Sequence, residues 1–536
     1  MKYHLLTALA AGSLVALAWP QGDALAQSRA AADAAMEQLG FADNTGMNGH
    51  LTYGEASWSR GRYILSDVVM TFPDDEDDAQ NEDEDGTSFE VGSEFETGHL
   101  DRLIFDAPRI DEDGFVVFDG FAMENFRTEE TDGEDFMRVT YFGASGINSN
   151  MARDFARLFS GEEDDVEPAW NDWAFESFRL EGLELESLEE DGRSRIVLDQ
   201  FSVQDYSDVE LGQFVISGFQ LDGPGDSGPV TMRLDELNLT GFQTQAYAEL
   251  MDALAAGGDE DAIMSAYYQS AMSPQMDMFD QFAMRGLLID AEGVHIAMDN
   301  LTAQIQQRGS RYISSAAMDS LRLIPDATKE AGAQVAMALG MLGYDRLELS
   351  LASNGIYDES TGEVWTDGDN YVELQDGLRI EMSQRFSGYD TYFANLPEAM
   401  AQLEAAGDDE ALQTQASLDL MRPIILNNMR ISLTDLSLLE RALEAGAAAQ
   451  GITADELRIQ AGAMIGMGMM SAPPEIPRPM LSQLSGALTN FINSGGTLTI
   501  EANPPEPLSF GTVFDQVQNG SFDYEMLGLS FTAEAP

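Results

Sequence analysis

The stretch SGYDTYFANLPEAMAQLEAAGDDEALQTQASLDL, Ser387 to Leu420, reads as an amphipathic helix, an acidic Gly-Asp-Asp-Glu break and a second helix. Strand-like sequence flanks the pair on both sides, so the unit is a helical hairpin set into β structure. Looser versions occur at Met151–Trp170 (MARDFARLFSGEEDDVEPAW), Ala246–Met272 (AYAELMDALAAGGDEDAIMSAYYQSAM) and Leu438–Ile465 (LLERALEAGAAAQGITADELRIQAGAMI). Four hairpins spaced along a β scaffold is the organisation these repeats predict. Leu396, Met400 and Leu403 form one helical stripe, as do Tyr247, Leu250, Met251 and Leu254, which suits helices covering an apolar sheet face. Asn395 with Glu398, Ser437 with Glu440, and Thr453 with Glu456 have capping-box spacing and predict helix starts.

Working outward, the sequence between the hairpins alternates. Leu183 and Leu185 alternate with Glu184 and Glu186. Ile196 and Leu198 share a face, and Phe201 and Val203 continue with the opposite parity. Met232 and Leu234 are followed in the same way by Leu237 and Leu239. Alternation gives a strand one apolar and one polar face, and a parity change marks a bulge or bend. Further short runs, such as FEVGSEF, DRLIFDAP, GFVVFDGF and MRVTYFG before Phe142 and the alternating Leu347, Leu349 and Leu351, carry the same signal. Short helices are expected over residues 28–39 and Lys329–Leu342. The predicted fold class is α+β: a long curved antiparallel β-sheet of repeated amphipathic strands, with about four helical hairpins packed along it. Two β-rich lobes are expected, 27–330 and 331–536, with two hairpins each.

Charge narrows the function classes. The 536 residues include 94 acidic and 27 basic side chains, a net charge of −67, and the only lysines are Lys2 and Lys329. Such a field repels phosphate backbones and excludes nucleic acid as a partner. It repels anionic lipid headgroups as well, unless divalent cations bridge them. Lys2, the apolar Leu5–Ala18 and the small-x-small Ala24-Leu25-Ala26 read as a secretory signal peptide over residues 1–26. The expected location is periplasmic or secreted, with no transmembrane anchor after signal cleavage. No cysteine occurs, so no disulfide staples the chain.

Catalytic chemistry is sparse. Gly225-Asp226-Ser227-Gly228-Pro229 resembles the nucleophile motif of trypsin-like proteases but lacks the second glycine after the serine, and His50 and His99 lack that family's context; a turn is the expectation. The P-loop and dinucleotide fingerprints are absent. No catalytic or cofactor-binding residue is assigned. Calcium is the one ion whose chemistry fits, at the acidic loop Asp74–Gly86, at Asp111-Glu112-Asp113-Gly114 or at Asp367-Gly368-Asp369, because hard oxygen ligands suit it. In the acidic loop the run NEDEDG has Gly at the sixth position, but the twelfth is Gly92 where an EF-hand needs glutamate. The tract AMIGMGMMSAPPEIPRP (Ala463–Pro479) reads either as flexible core filler or as an adaptable surface for lipid or a partner.

Three segments carry a family resemblance: LGYDRLELSLASNGIYDESTGEVWT (Leu342–Thr366), Leu438–Ile465, and GGTLTIEANPPEPLSFG (Gly495–Gly511). They are similar to segments of exported proteobacterial proteins of unassigned function, over roughly the last 200 residues. The strand organisation also resembles, at the level of fold, AsmA-like envelope proteins, whose long curved sheets are thought to carry lipids. The expected function is therefore a non-enzymatic cell-envelope protein that shields or carries a lipid or other apolar ligand between sheet and helices, with an envelope protein as a further possible partner. The alternatives are a calcium-dependent structural or adhesion module and, third, a hydrolase.

Overall fold

The alternating stretch between Phe175 and Phe242 folds as four long antiparallel strands, Phe175–Glu189, Gly192–Tyr206, Leu211–Gly223 and Val230–Phe242. The parity changes in the sequence fall at kinks made by glycines in the left-handed region, with no shift of strand register. Leu180 pairs with Phe201 and Leu183 with Leu198 in one unbroken register, so the parity changes on both strands at the same level and leucines three residues apart pack on the same core. Gly182, at φ +59, makes the kink, and Gly218, at φ +63, makes another beside Asp199 on the neighbouring strand. A Cβ at either glycine would run into Thr140 or Asp199 respectively.

The structure is a computed structural model that describes residues 29–71, 97–129, 136–160, 172–189, 192–207, 210–225, 228–243, 279–407, 409–472 and 476–536. The signal segment 1–26, the acidic loop Asp74–Gly86, the Ala246–Met272 hairpin and the second half of the Met151–Trp170 hairpin lie outside the described residues. The protein is α+β and β-rich, and every described strand pairing is antiparallel. Two compact units partition the chain, Met1–Ala248 with Met284–Ala291, and Glu249–Ala283 with Glu292–Pro536.

In the first unit, strands Arg62–Thr71, Thr97–Asp106, Gly120–Glu129 and Phe136–Ser145 pair in sequence and lead into the four long strands. Helices α1 (Arg29–Gln38) and α2 (Ser149–Ser160) cover one face. They contribute Ala32, Ala35 and Met36, and Met151, Phe155 and Phe159, to a core dense in aromatic rings. Phe105 meets Phe159 edge-on at 5.0 Å between centroids, and Phe121 meets Phe155 at 4.4 Å. Burying large aromatics in edge-to-face contact adds to their area term.

The second unit orders its strands Val294–Arg308, Arg311–Pro325, Leu347–Asp358, Leu378–Ser387, Ile425–Asp435, Gly496–Ala502 and Leu529–Glu534. The short strands Glu363–Thr366 and Tyr371–Leu374 sit between the third and fourth. Helix α3 (Glu330–Met341) follows the second strand. Helices α4 (Tyr389–Ala406) and α5 (Glu410–Met421) are the hairpin the sequence predicts, and Asp409 caps α5 by accepting from the backbone N–H of Ala411 and Leu412.

Four hairpins are not what the described chain contains. Helices α6 (Leu438–Gln450) and α7 (Ala454–Met470) form the expected last hairpin, but α8 (Arg478–Ser494) packs after them, so this element is three helices. The proline tract hides α8: Pro477 is its N-cap and Pro479 lies in its first turn, where no intrahelical N–H is required. A short helix α9 (Phe510–Gln518) also separates the last two strands.

One expected helix start moves, and another stays in place with a different capping partner. Asn395 lies inside α4, which begins at Tyr389 and runs through Pro397. Tyr389, Tyr392 and Phe393 pack on one another and on Tyr357 and Phe386, holding the turn N-terminal to the proline in place. Ser437 does precede α6, but its hydroxyl goes to the Asp376 carbonyl, and Asp435 accepts from the N–H of Leu439 instead. The Thr453–Glu456 capping box forms in full.

Candidate functional site

Cross-strand partners share a sheet face, and one row in the second unit runs Leu351, Val372, Ile380, Leu433, Leu498, Ala533. A second row runs Met382, Ile431, Ile500, Phe531. Both are apolar throughout. Helix α8 covers one end of them: Ala487 and Phe491 pack with Leu498, Leu433, Phe531 and Ala533. The cover then stops. Val372, Ile380 and Met382 are 51%, 41% and 43% exposed, although they continue the rows whose other end packs under α8.

The strand carrying Ile380 and Met382 reaches Phe386, past a register shift at Arg385/Phe386, one residue before its end. That ring meets Tyr389 of α4 and Phe510 at the start of α9. The exposed strip is thus a floor bounded along one side by α8 and closed at the strand end by aromatic rings. Burial pushes the Tyr389 and Tyr392 phenols above their ordinary pKa, so both stay neutral.

The opposite face of these strands is polar. Arg379 lies over the Tyr371 ring at 3.9 Å and binds Glu373 at 3.0 Å and Glu381 at 2.9 Å. Ser432 and Thr499 share a hydroxyl contact of 3.2 Å, and Thr434 and Thr497 one of 3.0 Å. The exposed side chains on the first face are therefore not part of a generally apolar sheet. One face was built for apolar contact, and part of it is left open.

A cluster of ionisable groups sits in the first unit. Asp106 bonds Arg62 at 2.9 Å, yet burial outweighs that partner and raises its carboxyl to about 6. Tyr141 is held above the ordinary phenol range by burial, with Arg179 stacked 5.2 Å from its ring centroid. No nucleophile accompanies these groups in the described contacts, and pairing with Arg62 is a sufficient role for Asp106.

The residues singled out from the sequence fall as follows. Asp111 accepts from the N–H of Asp113 and Phe115 and is bridged to Arg153 at 2.6 Å, which also binds Asp113 at 2.8 Å. The Arg153 hydrogen bond holds the Asp111 carboxyl below its usual range. A guanidinium thus occupies the position a cation would take. Asp367-Gly368-Asp369 forms a turn tied by Asn354, whose side-chain amide donates to the Asp369 carbonyl. Among the described residues, no three His, Asp or Glu side chains are grouped to hold a metal ion. Gly225 and Gly228 close a turn, with the Gly228 N–H on the Gly225 carbonyl at 3.2 Å, and Ser227 lies outside the described residues. His50 is exposed at the end of a short turn, and His99 lies on the strand Thr97–Asp106.

Val372, Ile380 and Met382 were legible only as parts of strands. Their alternation with Glu373, Arg379 and Glu381 gives the face; nothing local gives the missing cover.

A protein-family model described as "Uncharacterized protein" matches residues 371–534, a span that holds the open floor and helices α4 to α9. No curated protein matches the chain. Among the described residues, no helix is long and apolar enough to cross a membrane.

Proposed function

We propose that the protein is an exported, non-enzymatic carrier that shelters an apolar ligand, of the acyl-lipid class, on the open floor of its second unit. The single observation that carries this reading is the exposure of Val372, Ile380 and Met382 on apolar rows whose other members are buried or half-buried, one end of them under α8. A contiguous apolar surface left open in a chain of net charge −67 is a binding surface by default. Flexible methionine and β-branched side chains adapt to an alkyl chain without demanding one shape. The likeness to AsmA-like envelope proteins agrees in kind, as an amphipathic antiparallel sheet with one apolar face.

The test is mass spectrometry of organic extracts from protein purified without detergent. Stoichiometric acyl lipid is expected from the parent and none from an Ile380→Gln/Met382→Gln variant of unchanged circular dichroism. A folded, lipid-free parent, or a variant that retains its lipid, would overturn the proposal.

A further inference from the structure

We propose that the C-terminal two-thirds of helix α7 is a docking face for an uncharged lipid surface. This goes beyond the carrier reading and stands without it. From Ile459 to Met470 the helix reads IQAGAMIGMGMM, with no charged residue, in a chain where charged residues make up 23%. No residue of the helix is buried. Ile459, Met464, Met467 and Met470 are between 61% and 83% exposed. Of the two readings the sequence allowed for this tract, core filler and adaptable surface, the second is the one the exposure matches.

The glycines sharpen the point. A Cβ at Gly462, Gly466 or Gly468 would meet nothing within 4 Å. None is required by packing inside the protein, although glycine weakens a helix relative to alanine. They keep the outer surface low between the methionines, which suits an apolar phase that closes around each side chain.

The end of α7 is prepared for such a phase. Its terminal carbonyls would be costly to leave unsatisfied away from water. The chain satisfies three of them itself: the Ser471 N–H donates to the Met467 carbonyl at 3.1 Å, the Ser471 hydroxyl to Gly468 at 3.0 Å, and Arg478 to Met469 at 3.3 Å.

Area and charge decide between occupants. Twelve helical residues span about 18 Å, so one face offers roughly 200 Å², against about 800 Å² per partner in a stable protein complex. A second copy would also bring another strongly acidic chain alongside. A bilayer sets no minimum area and admits side chains singly. The chain's charge selects zwitterionic over anionic headgroups.

The experiment is cosedimentation of the full chain with phosphatidylcholine vesicles. The parent is expected to bind, and a Met464→Gln/Met467→Gln/Met470→Gln variant to lose at least about tenfold in partition. Leu412→Gln removes an apolar side chain that is 56% exposed on α5 and is expected to bind as the parent does. Ile380→Gln should also dock normally, which separates docking from cargo binding. Replacing a third of the lipid with phosphatidylglycerol at low salt should weaken binding, and added salt should restore it. Four results would overturn the proposal: no binding by the parent, equal loss in Leu412→Gln, stronger binding to anionic vesicles, or vesicle-free dimerisation abolished by the triple methionine variant.

Discussion

The aromatic core of the first unit and the apolar floor of the second are made from the same kind of strand, yet one is closed and the other open. In the first unit, Phe105, Phe121 and Leu65 are fully buried because α1 and α2 lie over their face and meet it with alanine and phenylalanine. In the second, α8 covers Leu433 and Leu498 but leaves their cross-strand neighbours Ile380 and Val372 half in solvent. Amphipathic strands alone therefore do not make a core. Whether a helix lies over the row decides if the same pattern becomes a closed core or an open apolar surface.

Truncation separates the two most strongly. Phe121 touches Phe118, Phe142, Phe155 and Phe159, so Phe121→Ala should cost about 3–5 kcal/mol in urea unfolding. Ile380→Ala should cost no more than about 1 kcal/mol, because much of that side chain is already in water. Equal losses would break the comparison.

The glycine kinks come next. Gly218→Ala forces a Cβ into the left-handed region beside Asp199 and should destabilise the protein by roughly 2 kcal/mol. An unchanged melting temperature would mean that the strand relaxes around Gly218 without cost. Smaller again is Thr453→Ala, which removes the α7 capping box and should cost about 1 kcal/mol of stability.

Two aspartates give opposite pH signatures, one in each unit. Asp106 is raised to about 6 by burial, so the folded state keeps a proton that the unfolded chain gives up from its ordinary value of 3.8. Its contribution is most favourable below pH 3.8 and is lost as pH rises to 6. Asp358 is lowered to about 2 by bonds from Ser360, Arg311 and Ser310. Its contribution is present above pH 3.8 and lost as pH falls toward 2. Asp358→Asn should therefore destabilise at pH 7, with the gap closing in acid. Asp106→Asn should compare more favourably with the parent at pH 7 than at pH 4. Unfolding titrations of both variants check the two signs.

Much of this fold was legible in the sequence, because alternation and parity are local. Leu183, Leu198, Phe201 and Leu237 gave the faces and the levels at which they switch, although the switch is a glycine kink in unbroken register rather than a bulge, and the break at Asp408-Asp409 gave the α4–α5 hairpin. What failed was also local in origin. Asn395-Leu396-Pro397-Glu398 carries a helix-start signal, yet aromatic packing from Tyr389 to Phe393 extends α4 ahead of it. No helix is expected after the Ala463–Pro479 tract, yet Pro477 and Pro479 begin α8. The open floor could not be read, since exposure of Ile380 depends on where α8 comes to rest, 98 to 114 residues further along the chain. The surface role of Met464, Met467 and Met470 was one of two readings until their exposure separated them.

The central claim is that the uncovered rows of the second unit hold an alkyl chain, and photolabelling with a diazirine-bearing fatty acid tests it most directly. Peptide mapping should place the label on Tyr371–Ser387, displaced by excess unlabelled fatty acid and absent from Thr97–Glu129. Label that avoids Val372, Ile380 and Met382, or that survives Ile380→Gln/Met382→Gln unchanged, would contradict it.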